Sequence, residues 1–165
     1  MFRGFEIALW ILLVLATLTD LRWGKIFNVL TFPYFFAGLI FSFYVGGVTG
    51  LGNALTGVGV AILLYFPLYY FKALAAGDVK LLMAIAPWVD SKVVIEIAAV
   101  SILFGALVGI SVLIRSKGMK AGAKSVAEHA RSFAPTRSTR MPFAPAFLCA
   151  FMFLKIAESY QWSLF

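Results

Sequence analysis

Apolar residues gather into six runs, at roughly 5–19, 29–46, 51–71, 79–89, 93–114 and 143–160, separated by short polar or charged segments. Within a run the pattern does not alternate between apolar and polar positions. Each is apolar all round, as a helix facing lipid or the inside of a bundle must be. About 20 such residues cross a bilayer. The fourth run is too short to do so: eleven helical residues cover about 16 Å of the roughly 30 Å of hydrocarbon. The pattern therefore predicts an all-α polytopic membrane protein of about six transmembrane helices, the fourth short and with an irregular start. Ala75-Ala76-Gly77 would dip into the membrane as non-helical backbone, which is tolerated only where it faces protein or a water-filled cavity.

Composition agrees with this picture. Of 165 residues, 62% are hydrophobic and 13% charged, and the mean hydropathy is +0.97, whereas soluble domains are roughly 45–50% apolar and 25% charged. One transmembrane domain over residues 1–165 is expected. The first run leads into Asp20 and Arg22 without a small-residue cleavage pattern, so it reads as a retained span. The single cysteine, Cys149, has no intrachain partner and reads as a packing residue.

A net charge of +7 would in a soluble protein raise the question of nucleic acid. Here topology accounts for it, and no nucleic-acid partner is expected. Segments 20–28, 72–80 and 115–142 fall on one side of the membrane and hold eleven of the fourteen basic residues; Arg3, Lys92 and Lys155 fall on the other. The positive-inside rule makes the first side cytoplasmic and puts the amino terminus outside. Residues 116–140 form a basic cytoplasmic loop, read either as a topology signal on anionic lipid or as a dock for an assembly partner. His129, in that loop, reads as solvated.

Among the seven acids, Glu6, Asp90, Glu96, Glu128 and Glu158 lie at helix ends or in loops. Asp20 closes the first span and Asp78 opens the fourth, so topology places both on the cytoplasmic face. An acid near hydrocarbon costs a few kcal/mol or more, and such acids mark relays, ion pathways or active sites. Two carboxylates about 3 Å apart cannot both ionise; they share a proton, one acting as base and the other as acid. That is aspartic-protease chemistry, and it calls for no metal and no cofactor. A plainer reading also stands: Asp78 caps a helix, and Asp20 pairs with Arg22 or Lys25. Lys80 either snorkels to the interface or helps to hold a carboxylate ionised.

Three stretches together resemble the type IV prepilin peptidases, membrane aspartic proteases with a G-x-G-D motif. "AAGD" ends on Gly77 and Asp78. "DLRWGKIFN" is similar to the family's first motif through Asp20, Arg22, Ile26 and Asn28. "MPFAPAF" resembles its Pro-Phe-Gly-Pro segment through Pro142, Phe143 and Pro145. The resemblance runs over essentially the whole chain. It implies Asp20 and Asp78 as catalytic residues, with Gly77, Lys80, Arg22, Asn28, Pro142, Phe143 and Pro145 shaping the site or binding substrate. It departs from the family at Ala75 and Ala144, where glycines are expected, and at Phe27, where proline is usual. Gly77 is retained, at a position that calls for close backbone approach or positive φ.

The resemblance further implies a prepilin or pseudopilin substrate with glycine before the cleaved bond, a hydrophobic helix after it and a glutamate early in that helix. Membrane lipid and the pilus assembly machinery are the other partners it implies. The cysteine-bearing cytoplasmic insertion of larger members is missing between the first two spans. The chain therefore looks like the compact form serving tight-adherence (Flp-type) pili, for which methyltransferase activity is not expected. The competing readings are a small transporter with Asp20 and Asp78 as a proton or ion relay, and an inactive pilus-assembly subunit.

Overall fold

A computed structural model describes residues 3–71, 73–117 and 143–159. The basic loop from residue 118 onward, with His129 and Pro142, lies outside the described residues. The described chain is helical, with no strand: α1 Arg3–Trp23, α2 Asn28–Tyr70, α3 Ala76–Ile85, a 3-10 turn Ala86–Trp88, α4 Ser91–Lys117 and α5 Ala144–Ser159.

The long α2 is two arms rather than one rod. Gly47 adopts φ 58° and ψ −144°, a conformation that residues with a Cβ avoid. Beyond it the chain folds back: a Cβ on Gly50 would run into the Ser42 carbonyl, although eight residues of straight helix would separate these positions by about 12 Å. Gly38 lies against Pro87 and Trp88 while Gly57 lies against Ala86, which only a hairpin allows. The break falls in the gap between the second and third apolar runs. Counting both arms, six helical rods among the described residues follow the six runs in order.

By length and composition, two described helices are long and apolar enough to cross a membrane, Asn28–Tyr70 and the Ser91–Ser111 part of α4. The expected six crossings are not reached on that measure. α1 carries Glu6, Asp20 and Arg22 along its length, and α3 is short. α1 also runs past the expected residue 19, because apolar pattern follows the surroundings of a helix and not its hydrogen bonds; the helix ends where Gly24 ends it. At the fourth run, Ala76 and Gly77 belong to the first turn of α3, so only Ala73–Ala75 form the non-helical lead. Its amides are paired internally, those of Ala73 and Leu74 both donating to the Leu68 carbonyl and that of Ala75 to Asp78.

The core lies where α1, the second arm of α2, α3, α4 and α5 meet. Leu9, Leu12, Leu13 and Ala16 are buried along one stripe of α1, the i, i+3, i+4, i+7 spacing of a single helical face. The opposite stripe is also apolar, with Ile7, Ile11 and Leu18 exposed. Exposed leucine and isoleucine on the outer face of a packed helix suit lipid rather than water. Cys149 lies on such an outer face, which corrects its reading as a packing residue.

Candidate active site

Asp20 sits one turn before the end of α1. Gly24, at φ +60°, terminates the helix by donating its N–H to the Asp20 carbonyl at 2.8 Å, the αL stop that glycine makes without steric cost. The Asp20 side chain points away from this cap. Its Oδ2 accepts the N–H of Ala144, at the start of α5, at 2.9 Å. A carboxylate at a helix N-terminus is favoured both by the unpaired amides there and by the helix dipole.

Asp78 is arranged in the same way on another helix. It lies in the first turn of α3, and its Oδ2 accepts the Ala75 N–H at 3.0 Å. The expectation that Asp78 caps a helix is thus met in altered form: the carboxylate reaches back from the third helical position instead of occupying the N-cap, which is Ala75. Asp20 and Asp78 are 8% and 4% exposed, yet both line one cleft of about 690 Å³ with Lys25, Ile26, Leu74 and Phe143.

The other residues named from the sequence divide clearly. Lys80 Nζ donates to Asn28 Oδ1 at 3.0 Å, tying α3 to the start of α2. Among the described residues neither Lys80 nor any other base forms an ion pair with either aspartate; the salt bridges are those of Lys155 with Glu6 and Glu158. The alternative in which Asp20 pairs with Arg22 or Lys25 is therefore not met among the described residues. The Arg22 guanidinium instead lies 5.1 Å from the centre of the Trp23 ring, outside the cleft. Pro145 occupies the first turn of α5, where a missing N–H is harmless.

Gly77 is needed for space and not for conformation. Positive φ occurs among the described glycines only at Gly24 and Gly47. A Cβ on Gly77 would lie 3.3 Å from Cβ of Ile26, so Ile26 packs where a side chain would otherwise stand. The first motif therefore meets the second at Ile26 and Gly77, and the third at Asp20 and Ala144.

Sequence reasoning missed the backbone donors. Ala75 and Ala144, singled out only as departures from the glycine pattern, supply the amides that hold the two carboxylates. Their place in the motifs was the available signal, but a backbone donor leaves no mark on residue type. Gly105 was missed as well: a Cβ there would overlap the Phe143 ring, so this glycine on α4 admits Phe143 to the cleft. In the core, the buried Tyr65 hydroxyl lies 2.6 Å from Ser101 Oγ, and its ring packs on Phe147 at 5.8 Å.

With each Oδ2 fixed by an amide and no partner for either Oδ1 among the described residues, each Oδ1 can bind water or share the proton. Such a pair can activate water at one carboxylate and polarise a carbonyl at the other. Among the described residues no three His, Cys, Asp or Glu side chains gather as a metal site would require.

The profile of the type IV leader peptidase family matches residues 7–110, a stretch that includes both aspartates. The chain is 33% identical over 112 residues to the "Prepilin leader peptidase/N-methyltransferase" of Aeromonas hydrophila, covering 64% of this chain and 38% of that protein. The proteins of the same name from Aeromonas salmonicida, one of them from strain A449, match to the same extent. The chain thus spans well under half the length of these curated relatives. No solved structure matches it significantly. With a profile that covers more than half of its residues, the chain belongs to the type IV leader peptidase family.

Proposed function

We propose that this chain is a membrane aspartic endopeptidase that removes the leader of a type IV prepilin or pseudopilin, of the Flp type, at the cytoplasmic face of the inner membrane. Asp20 and Asp78 are its catalytic pair. The observation that carries this reading is the meeting of the two carboxylates in one cleft, each with a single oxygen held by a backbone amide. The ionised member takes a proton from water as the water oxygen attacks the scissile carbonyl. The protonated member hydrogen-bonds the carbonyl oxygen and then supplies the proton that the leaving amine requires. Methyl transfer is not part of this reading, although the relatives' names include it. A precursor with its hydrophobic helix in the bilayer presents the leader junction at the interface, where the cleft would meet it without drawing it across the membrane.

Co-expression with a prepilin tests this reading. Asp20→Asn and Asp78→Asn are each expected to abolish leader removal while the protein stays inserted, because an amide neither takes the proton from water nor shares it. Near wild-type processing by either variant on an immunoblot would refute the pair. A relay or a structural pair predicts no prepilin cleavage by the wild-type chain at all.

A further inference from the structure

α3 is gripped at the end opposite Asp78. It runs into the 3-10 turn Ala86–Trp88, and this turn sits between the two arms of α2. On the first arm, a Cβ at Gly38 would lie 2.7 Å from Trp88 Nε1 and 2.8 Å from Pro87 Cβ. On the second arm, a Cβ at Gly57 would lie 3.1 Å from the Ala86 carbonyl oxygen. Trp88 Nε1 donates to the Tyr34 carbonyl at 3.0 Å, and Ser42 Oγ donates to the Pro87 carbonyl at 2.7 Å. The Phe41 and Trp88 rings stack with centroids 6.2 Å apart.

These contacts constrain more than packing requires. The two glycines fix how deeply the turn enters the hairpin. The two hydrogen bonds run in opposite senses, one from the turn to α2 and one from α2 to the turn, and so fix its rotation. Helix and turn together form a rod of about 21 Å, and Asp78 lies about 13 Å from the gripped end. A tilt of about 5° at the socket would carry the carboxylate about 1 Å, a misplacement of the size that costs about a hundredfold in rate.

We propose that Gly38, Ser42 and Trp88 are positioning residues for Asp78: the α2 hairpin clamps the far end of α3 and thereby sets where this carboxylate stands against Asp20. The proposal rests on the reading of Asp20 and Asp78 as the reacting pair. Its test separates the two by reading geometry apart from cleavage.

In a full-length Cys149→Ser background, Asp20→Cys and Asp78→Cys are cross-linked in membranes with a short bifunctional methanethiosulfonate. Adding Gly38→Ala is expected to slow cross-linking several-fold, as the two thiols move off the span of the short reagent. Gly59→Ala, whose Cβ would meet nothing within 4 Å, should leave it unchanged. Ser42→Ala deletes one hydrogen bond at little cost in packing, Trp88→Phe deletes the other together with part of the indole's contacts, and each should slow it several-fold. In the chain with both aspartates, the same socket variants should lower kcat for prepilin cleavage with KM held, as loss of transition-state geometry does. If folded Gly38→Ala cross-links at the parent rate, the proposal is overturned whether or not the chain cleaves prepilin. Should Gly38→Ala fail to fold, parent rates in both Ser42→Ala and Trp88→Phe overturn it equally. A parent that does not cross-link removes the shared cleft and the proposal with it. Cross-linking that responds to the socket in a chain that cleaves no prepilin refutes the function and leaves the positioning standing.

Discussion

Two alanines hold the carboxylates, and a glycine keeps one of them in reach. The amides of Ala75 and Ala144 bind Oδ2 of Asp78 and Asp20, and a hydrogen bond to a charged group contributes roughly 1.5–3 kcal/mol. An alanine at these positions offers the same backbone donor as the glycine that the resemblance leads one to expect, so the two bonds do not depend on that departure. Gly77 differs, because its missing side chain is the space that Ile26 fills. At 3.3 Å an added Cβ requires Ile26 to give by a few tenths of an ångström, whereas valine adds two further methyls. Gly77→Ala is therefore expected to slow leader removal several-fold and Gly77→Val by about a hundredfold, with rates normalised to inserted protein. Coupling is the specific signature: Ile26→Ala should restore much of the rate to Gly77→Ala, and strictly additive losses in the double-mutant cycle would separate Ile26 from the effect. The need for a small residue at 77 was legible from its place beside Asp78. Its cause was not, since the neighbour lies fifty-one positions away in sequence.

At the scale of elements, apolar pattern located each helical rod among the described residues and even the gap in which α2 folds back. It misplaced the ends of α1 and α3, because ends are set by backbone hydrogen bonding: Gly24 stops α1, and the Ala75 N-cap starts α3. The same physics gives the third motif its role. α5 begins at Ala144 with unpaired amides, and the side chain that satisfies one of them comes from α1, 124 residues earlier. Phe143 and Pro145 could be flagged from sequence as a motif, but not as the frame around a donor. Ala144→Pro tests that role, because proline suits a first helical turn yet has no N–H to give. The helix should persist by circular dichroism while Asp20 loses its amide, and cleavage should fall by tenfold or more, the equivalent of roughly 1.5–3 kcal/mol. Unchanged cleavage in a folded Ala144→Pro chain would show that the bond to Asp20 does not order the carboxylate.

For the whole molecule, charge placement and site placement make one statement about orientation. α1 and α5 are joined near both ends, by Asp20 with Ala144 and by Glu6 with Lys155 at 2.6 Å. Fourteen helical residues, about 21 Å, separate Glu6 from Asp20 along α1. Lys155 also bonds Glu158 at 2.7 Å, so the end away from the cleft carries two acids on one base. These groups are a quarter to nearly half exposed, and pairs of that kind contribute at most about 1 kcal/mol each; they say more about polarity at that end than about stability. The cleft end carries Arg22, Lys25 and Lys80, part of the eleven basic residues that the sequence assigns to one side. On the orientation proposed here, which follows the positive-inside rule, the cleft faces the cytoplasm and Glu158 lies outside. In a Cys149→Ser background, Lys25→Cys should resist a membrane-impermeant maleimide applied to spheroplasts and react after lysis. Glu158→Cys should react at once. The reverse labelling order would put Asp20 and Asp78 on the outer face, where a leader held in the cytoplasm cannot reach them, and would leave a peptidase acting on a different junction from the one proposed.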